Sequence, residues 1–341
     1  MSRGTQERSD RAGDRAFTEP DAHDEASREA RAQAKAKVRA KSRAKQRANV
    51  MIGHHPSTPY LLSLPSILMI TFLLAFPVLY AMWGSLFDTE FLGGPQSFVG
   101  LDLYIELFQD PEFLGSIWKT FIFVVGTIVV GIALALVFGF ALYRVTGKLR
   151  ILRGLTIVPY LVSGVATAVM FRMLLNQDFG YVNRVLGFFG LPQPEWFSDG
   201  NWAMVAAVLA QVWGDLPLAV LLILGGLQTI DSQLLEAAEV DGATGWIRAT
   251  RISIPLIIPQ LLLGTILLSY QALTSLSVII GLTGGGPVGS TRTLPIALYE
   301  TAFIDLETNE ALAIVVVILA FNALLTLGYL GISRRYNLEE M

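Results

Sequence analysis

The chain has 341 residues, of which 53% are hydrophobic and only 16% charged, with a formal net charge of −3 and no cysteine. Soluble domains carry roughly 25% charged residues, so this composition points to a lipid solvent rather than water. The absence of cysteine excludes a disulfide framework and a thiolate metal site.

Charge is concentrated at the start, where thirteen of the 25 Lys and Arg precede residue 61. Residues 1–30 mix acids, Arg, Gly and Ser and read as a disordered tail. Cations then recur at every second position from Lys35 to Arg47, so a helix there is basic all round with no apolar face to bury. Such a segment next to a membrane is drawn to anionic lipid. No aromatic residue accompanies these cations, and no nucleic-acid partner is expected. The adjacent His54 and His55 cannot easily face one ion, so no metal site is expected. The first hydrophobic run begins near residue 60, too late for an ordinary cleaved signal peptide, and reads as a retained span. The expected domains are a cytoplasmic tail over 1–58 and a membrane domain over 59–341.

A membrane helix needs about 20 apolar residues to cross roughly 30 Å of hydrocarbon. Six runs meet that length: Leu61–Trp83, Thr120–Tyr143, Gly154–Phe171 extending past Arg172, Asn201–Leu227, Ile252–Leu282 and Ala311–Ser333. An all-α membrane fold with six transmembrane helices follows. Between the first two runs, residues 84–116 hold Asp88, Glu90, Asp102, Glu106, Asp110 and Glu112 without a Lys or Arg. Arg144, Lys148, Arg150 and Arg153 follow the second run, Arg248 and Arg251 precede the fifth, and Arg334 and Arg335 follow the sixth. Basic loops stay inside, so six spans with both termini cytoplasmic put every basic segment on one side.

The loop between the fourth and fifth runs, about 231–255, is built rather than merely polar. Asp231 or Ser232 caps a short helix, Gly242 ends it in the left-handed conformation, Thr244 caps a second helix, and Pro255 opens the next hydrophobic run. A helical hairpin on the membrane surface is predicted, a shape suited to docking into another protein.

Glu236-Ala237-Ala238, then Gly242, Ile252 and Pro255, with Asp241 between, resemble the cytoplasmic "EAA loop" of the membrane subunits of ABC importers. Ile254 stands where Leu is usual. The Phe98-Val99-Gly100-Leu101-Asp102-Leu103-Tyr104 stretch is also similar to the family. The run Thr283-Gly284-Gly285-Gly286-Pro287, with Thr293 and Tyr299–Phe303, resembles the carbohydrate-uptake branch, whose permeases pair with a second, different permease. The resemblance covers about residues 60–341 and implies the type I importer (MetI-like) permease fold. It implies a second permease subunit, two ATPase subunits inside and an extracytoplasmic solute-binding protein, in a prokaryotic cell (inner) membrane. It implies no cofactor for this chain, ATP and Mg being bound by the partner ATPase. Glu236, Ala237, Ala238, Asp241, Gly242, Ile252 and Pro255 are then the ATPase-coupling residues.

No catalytic residues are expected. A phosphate-cradling glycine loop with Lys and Ser or Thr is absent, as is a Gly-x-Ser-x-Gly elbow, so the chain is read as a transport subunit and not an enzyme. Candidates for the solute path are polar groups within spans. Asp215 sits mid-span beside Trp213, Gly214 and Pro217, where a carboxylate is costly and faces a cavity or a partner. A carboxylate satisfied by a broken turn at Pro217 or by a partner subunit is the alternative. In the fifth run, Tyr270, Thr274 and Ser277 share one helical face, and Gln271 and Ser275 an adjacent one. Such a face suits hydroxyl-rich solutes or packing through small polar residues. Asn322 in the sixth run is a further candidate. The expected cargo is a sugar or oligosaccharide, the alternatives being a polyol or glycerol phosphate derivative in the same architecture, or an ion-coupled secondary transporter.

Overall fold

A computed structural model describes Lys37, Lys41, Ser42 and residues 58–89, 96–145, 151–243 and 245–335. Most of the polybasic segment, Thr244 and the termini lie outside the described residues, as do Lys148 and Arg150. The chain divides into two units, one ending at Ala75 and the other running Phe76–Met341. Helix α1, Thr58–Gly84, crosses that boundary. It is apolar on every face, and Leu68, Phe72, Leu79 and Trp83 are all exposed, as suits a helix solvated by hydrocarbon.

In the second unit a short antiparallel pair comes first, β1 (Phe87–Thr89) with β2 (Gln96–Phe98), Phe87 opposite Phe98. The amphipathic α2, Asp102–Gln109, turns Leu103 and Leu107 inward. Three long helices follow where the sequence predicts spans: α3 (Pro111–Tyr143), α7 (Gly200–Thr229) and α14 (Thr308–Arg335). The Asp110 carboxylate accepts from the Glu112 and Phe113 amides at 2.9 and 3.0 Å, with Pro111 in the first turn. Asp199 caps α7 in the same way. The charge of Lys119 interrupts the apolar run but not the helix, so α3 starts nine residues before Thr120.

Among the described residues, four helices, α1 included, are long and apolar enough to span uninterrupted, and two further bent pairs raise this to six when each pair is taken as one span. The third and fifth predicted spans are therefore not single straight helices. Over the third, α4 (Ile151–Leu155) and a 3-10 turn (Pro159–Leu161) meet α5 (Gly164–Leu174) at 96°. Pro159 fixes the turn, Val162 is extended, and Ser163 restarts the helix by accepting from the Ala166 amide at 3.3 Å. A short α6 (Tyr181–Phe188) lies between α5 and α7.

Around the fifth run, α8 (Ser232–Val240), α9 (Gly245–Arg248), a π-turn (Ala249–Ser253) and α10 (Ile254–Leu256) precede α11 (Ile258–Leu273). The bend at Ile257 is 74°. Pro255 and Pro259 withhold two amide donors four residues apart, which is why the helix cannot run straight through. Ile252–Leu256 thus belong to the surface hairpin, not to the span. At the other end α11 stops at Leu273, and α12 (Ser277–Leu282) is a separate helix. There the Thr274 hydroxyl bonds its own helix at Tyr270 O (2.8 Å) and Ser275 turns to α7, so local side chains compete with the backbone ladder. Helix α13 (Leu294–Phe303) leads to α14.

The core is the packing of α3 along α7 and α11. Ala135, Ile223, Leu224, Leu227, Ile257 and Leu268 are buried there together. Gly131 and Gly139 let the helices close up: a β-carbon would sit 2.7 Å from Leu268 Cδ1 at the first and 2.7 Å from Ile223 Cγ2 at the second. Without a hydrophobic drive between helices in lipid, this close approach is the main attraction. Gly139→Leu is expected to destabilise by about 1–3 kcal/mol through overpacking. Gly328→Leu, with nothing within 4 Å of the new carbon, is the control. Thermal melts in detergent check the pair, and equal midpoints would refute the close-packing account.

Candidate functional site

The two interrupted spans break beside one another. A cavity of about 530 Å³ is lined by Val162 and Gly164 from the first break and by Thr274, Ser275, Leu276 and Ser277 from the second. The third wall is the middle of α7, with Gln211, Gly214 and Asp215. Irregular backbone at membrane depth is tolerated only where it is buried in protein or lines a cavity, and here it does the latter. The half-helices beyond the breaks pack tightly: a β-carbon on Gly164 would overlap Ser277 Oγ, and one on Gly281 would sit 2.8 Å from Ala168 Cβ.

Asp215 is 7% exposed and fully engaged. Gln211 Nε2 donates to its Oδ2 at 2.6 Å, and Gln271 Nε2 donates to its Oδ1 at 3.3 Å. Ser275 Oγ in turn donates to Gln211 Oε1. The carboxylate is thus held by two amides from α7 and α11, and not by a broken turn: α7 continues through Pro217. Among the described residues no Lys, Arg or His lines the cavity.

Of the residues singled out in the sequence, Asp215, Gln271, Thr274 and Ser277 meet in this cavity. Tyr270 and Asn322 do not. They line a second, largely apolar hollow of about 380 Å³ between α11, α13 and α14, which Thr274 also touches. Asn322 Nδ2 donates to Ile318 O at 3.2 Å, within its own helix. Tyr270 is 56% exposed. Gln211, Tyr160 and Thr167 line the first cavity without having been anticipated. Gln211 had a signal, since it precedes Asp215 by four residues and so shares its helical face.

The hairpin at the α8–α10 end has local geometry that follows its sequence closely. Asp231 is the N-cap of α8, accepting from the Gln233 amide at 2.9 Å. At the other end the Ala243 amide bonds Ala238 O (2.8 Å) and the Gly242 amide bonds Glu239 O (3.1 Å), a Schellman pair. Gly242 has φ +83, and Asp241 forms the cap just before it. Glu236 and Ala237 are exposed, whereas Ala238 is buried against its own chain. Ile252 is half-buried in the π-turn, and Pro255 is exposed in the first turn of α10. Arg248 pairs with Glu239 at 3.3 Å across the hairpin. Glu236 makes no ion pair among the described residues. Leu234, Val240 and Trp246 are exposed alongside it.

The opposite end is fastened by a second polar cluster that the sequence did not reveal. Arg292 Nε donates to Glu300, Arg292 Nη1 donates to Ser116 Oγ at 3.2 Å, and the Leu294 amide donates to Thr120 Oγ1 at 2.8 Å. These bonds tie the glycine-rich 283–293 loop to the start of α3.

A helical membrane protein whose spans break around a polar cavity, and whose surface hairpin hangs from the two helices lining it, has the make-up of a transporter's membrane subunit. Residues 127–338 match the family described as binding-protein-dependent transport system inner membrane component, and the chain belongs to that family. It is therefore a permease subunit of an ABC importer that works with a binding protein, not an enzyme and not an ion-coupled secondary transporter.

Among relatives, the sulfoquinovosyl glycerol transport system permease protein SmoG of Agrobacterium fabrum is 32% identical over 281 residues, covering 80% of this chain and 89% of that protein. The trehalose/maltose transport system permease protein MalF of Thermococcus litoralis is 31% identical over 281 residues, 81% and 93% of the two chains. The sn-glycerol-3-phosphate transport system permease protein UgpA of Salmonella typhimurium is 32% identical over 269 residues, covering 79% of this chain and 91% of that protein. A crystal structure of a bacterial ABC transporter involved in importing the acidic polysaccharide alginate shares the fold. Its TM-score is 0.69 at 21% identity, with 85% of this chain and 99% of that one covered.

Proposed function

We propose that this permease carries a neutral carbohydrate through the cavity between α5, α7 and α11, in partnership with a second, different permease. The observation that carries this reading is the lining: amides, hydroxyls and one carboxylate, with no cation. Hydroxyl-rich solutes exchange hydrogen bonds with such groups, and an anionic solute would enter beside an uncompensated negative charge. The relatives named for trehalose/maltose and for sn-glycerol-3-phosphate resemble this chain about equally, so identity does not choose between their cargoes, and the lining favours the neutral sugar.

In this reading the 231–255 hairpin docks to one of two ATPase subunits, which bind the ATP and Mg. Glu236 takes a cation of the ATPase, and the exposed Leu234 and Val240 of α8 fill its groove. Both termini are expected on that side by the charge rule, since Arg144, Arg153, Arg248 and Arg251 belong to the hairpin end while Asp102, Glu106, Asp110 and Glu112 belong to the other. Because the hairpin connects α7 to α11, movement at the ATPases reaches the cavity through two continuous helices, and differential binding to the two states couples the sites.

The test is uptake by the complete system, expressed with its own partner subunits and binding protein in a host stripped of other sugar importers. Labelled maltose and trehalose are compared with labelled sn-glycerol 3-phosphate. Saturable uptake of a neutral sugar, uninhibited by excess glycerol phosphate, is expected. Saturable uptake of the phosphate ester instead would reverse the assignment of cargo while leaving the permease architecture intact.

A further inference from the structure

The second large cavity lies at the hairpin end, on a face that the solute path and the coupling residues do not use. It has about 550 Å³, within the usual range of small-ligand sites. One wall is the last three turns of α3, with Leu136, Val137 and Phe140. The other is the second arm of the hairpin, with Trp246 and Ile254. Arg144 stands at the mouth, one residue beyond the end of α3.

Five observations bear on what fills it. Its deeper wall belongs to a spanning helix, so the surrounding medium is acyl chain and not water. Among the described residues the lining is apolar apart from Arg144 and has no carboxylate. Arg144 is exposed and its guanidinium has no partner among the described residues. The natural partners for a cation at this place are the terminal carbonyls of α3, but Arg153 has taken them: its Nη2 donates to Leu142 O at 3.1 Å and Val145 O at 3.0 Å. Trp246 is 80% exposed on the facing rim, and indole rings favour the headgroup level of a bilayer.

From this we propose that the groove is a binding site for an anionic phospholipid. An acyl chain lies along Leu136, Val137 and Phe140, the phosphate sits on Arg144, and Trp246 marks the interface beside it. The site is independent of which solute is carried, and rests only on the chain being a membrane subunit. Because one wall is a span and the other is the hairpin, the lipid fills the joint between them. Lys148 and Arg150, close by in sequence, add to the basic character of this connection.

The experiment uses the purified full transporter, stripped of endogenous lipid in detergent and reloaded with dioleoylphosphatidylglycerol or dioleoylphosphatidylcholine. Native mass spectrometry counts the lipid retained on the permease. The wild type is expected to keep phosphatidylglycerol at least five-fold above phosphatidylcholine, and Arg144→Gln to erase that preference. Equal retention of the two lipids by the wild type, or an unchanged preference in Arg144→Gln, overturns the proposal. Should the variant fail to assemble, phosphatidylglycerol with a photoactivatable acyl chain is cross-linked to the wild type: adducts at 133–144 or 245–254 uphold the site, and adducts confined elsewhere refute it. A disulfide formed readily between Val137→Cys and a cysteine in the second permease would mean that protein, not lipid, occupies the groove.

Discussion

Gly242→Val is expected to leave the permease in the membrane while lowering binding-protein-stimulated ATP hydrolysis and solute uptake together, by about ten-fold. The reason is local. Gly242 sits at φ +83, with nothing within 4 Å of where a β-carbon would stand. Space is therefore not the obstacle; the backbone is. A β-branched residue in the left-handed region costs roughly 1–2 kcal/mol, and about 1.4 kcal/mol is a ten-fold change in the population that keeps the turn. Losing the turn frees the two Schellman bonds at Ala238 O and Glu239 O and swings α8 relative to α9, so the exposed face of Glu236, Ala237 and Val240 no longer meets its partner as a unit. Gly242→Asn is the discriminating control, because Asn tolerates positive φ, and it should retain most of the coupling. Co-purification of the ATPase and stimulated hydrolysis in liposomes are the measurements. Wild-type hydrolysis and uptake in Gly242→Val would mean that the hairpin geometry does not transmit the coupling. Enlarging Ala238 is a less clean probe, since its side chain is buried within the permease itself.

The hairpin was legible in the sequence because its determinants lie close together along the chain. Asp231 needs only the amide two residues on, and Gly242 only its own φ and the carbonyls three to five residues back. The four long spans were legible for a similar reason, since length and apolarity suffice. The interruptions at Val162–Ser163 and Thr274–Leu276 were not. Both lie inside apolar runs that are long enough to cross, so a count of residues hides the break. Pro159 ahead of Ser163-Gly164 was a usable stop-and-restart signal. By spacing Thr274, Ser275 and Ser277 read as a polar stripe on a continuous helix, whereas Ser275 leaves the helix face to reach Gln211. The cavity also depends on which spans become neighbours, as does the bond from Arg292 on the 283–293 loop to Ser116 on α3, 176 residues away. Separation of that kind leaves no periodic trace.

Asp215 separates a solute path from mere packing, and two substitutions there should diverge. Asp215→Leu leaves the donors of Gln211 and Gln271 without their acceptor in a buried site, at about 1–3 kcal/mol for each unsatisfied group. That variant should melt earlier and transport poorly for structural reasons alone. Asp215→Asn keeps one oxygen to accept from Gln211, and a flipped Gln271 amide accepts from the new Nδ2, so the network survives without the charge and the thermal midpoint should stay near that of the wild type. If the cavity is the path, the Asn variant should nevertheless change uptake, through a several-fold shift in the solute concentration for half-maximal transport or in discrimination between maltose and sn-glycerol 3-phosphate. Gln271→Ala should act in the same direction, because it withdraws one of the two donors that orient the carboxylate and opens the lining between α7 and α11. Stimulated ATP hydrolysis should persist in Asp215→Asn, since the hairpin is untouched, and this distinguishes a path defect from a coupling defect. A stable Asp215→Asn variant with wild-type uptake and wild-type selectivity would place the solute elsewhere. It would leave the Gln211–Asp215–Gln271 network as a fastening between two helices.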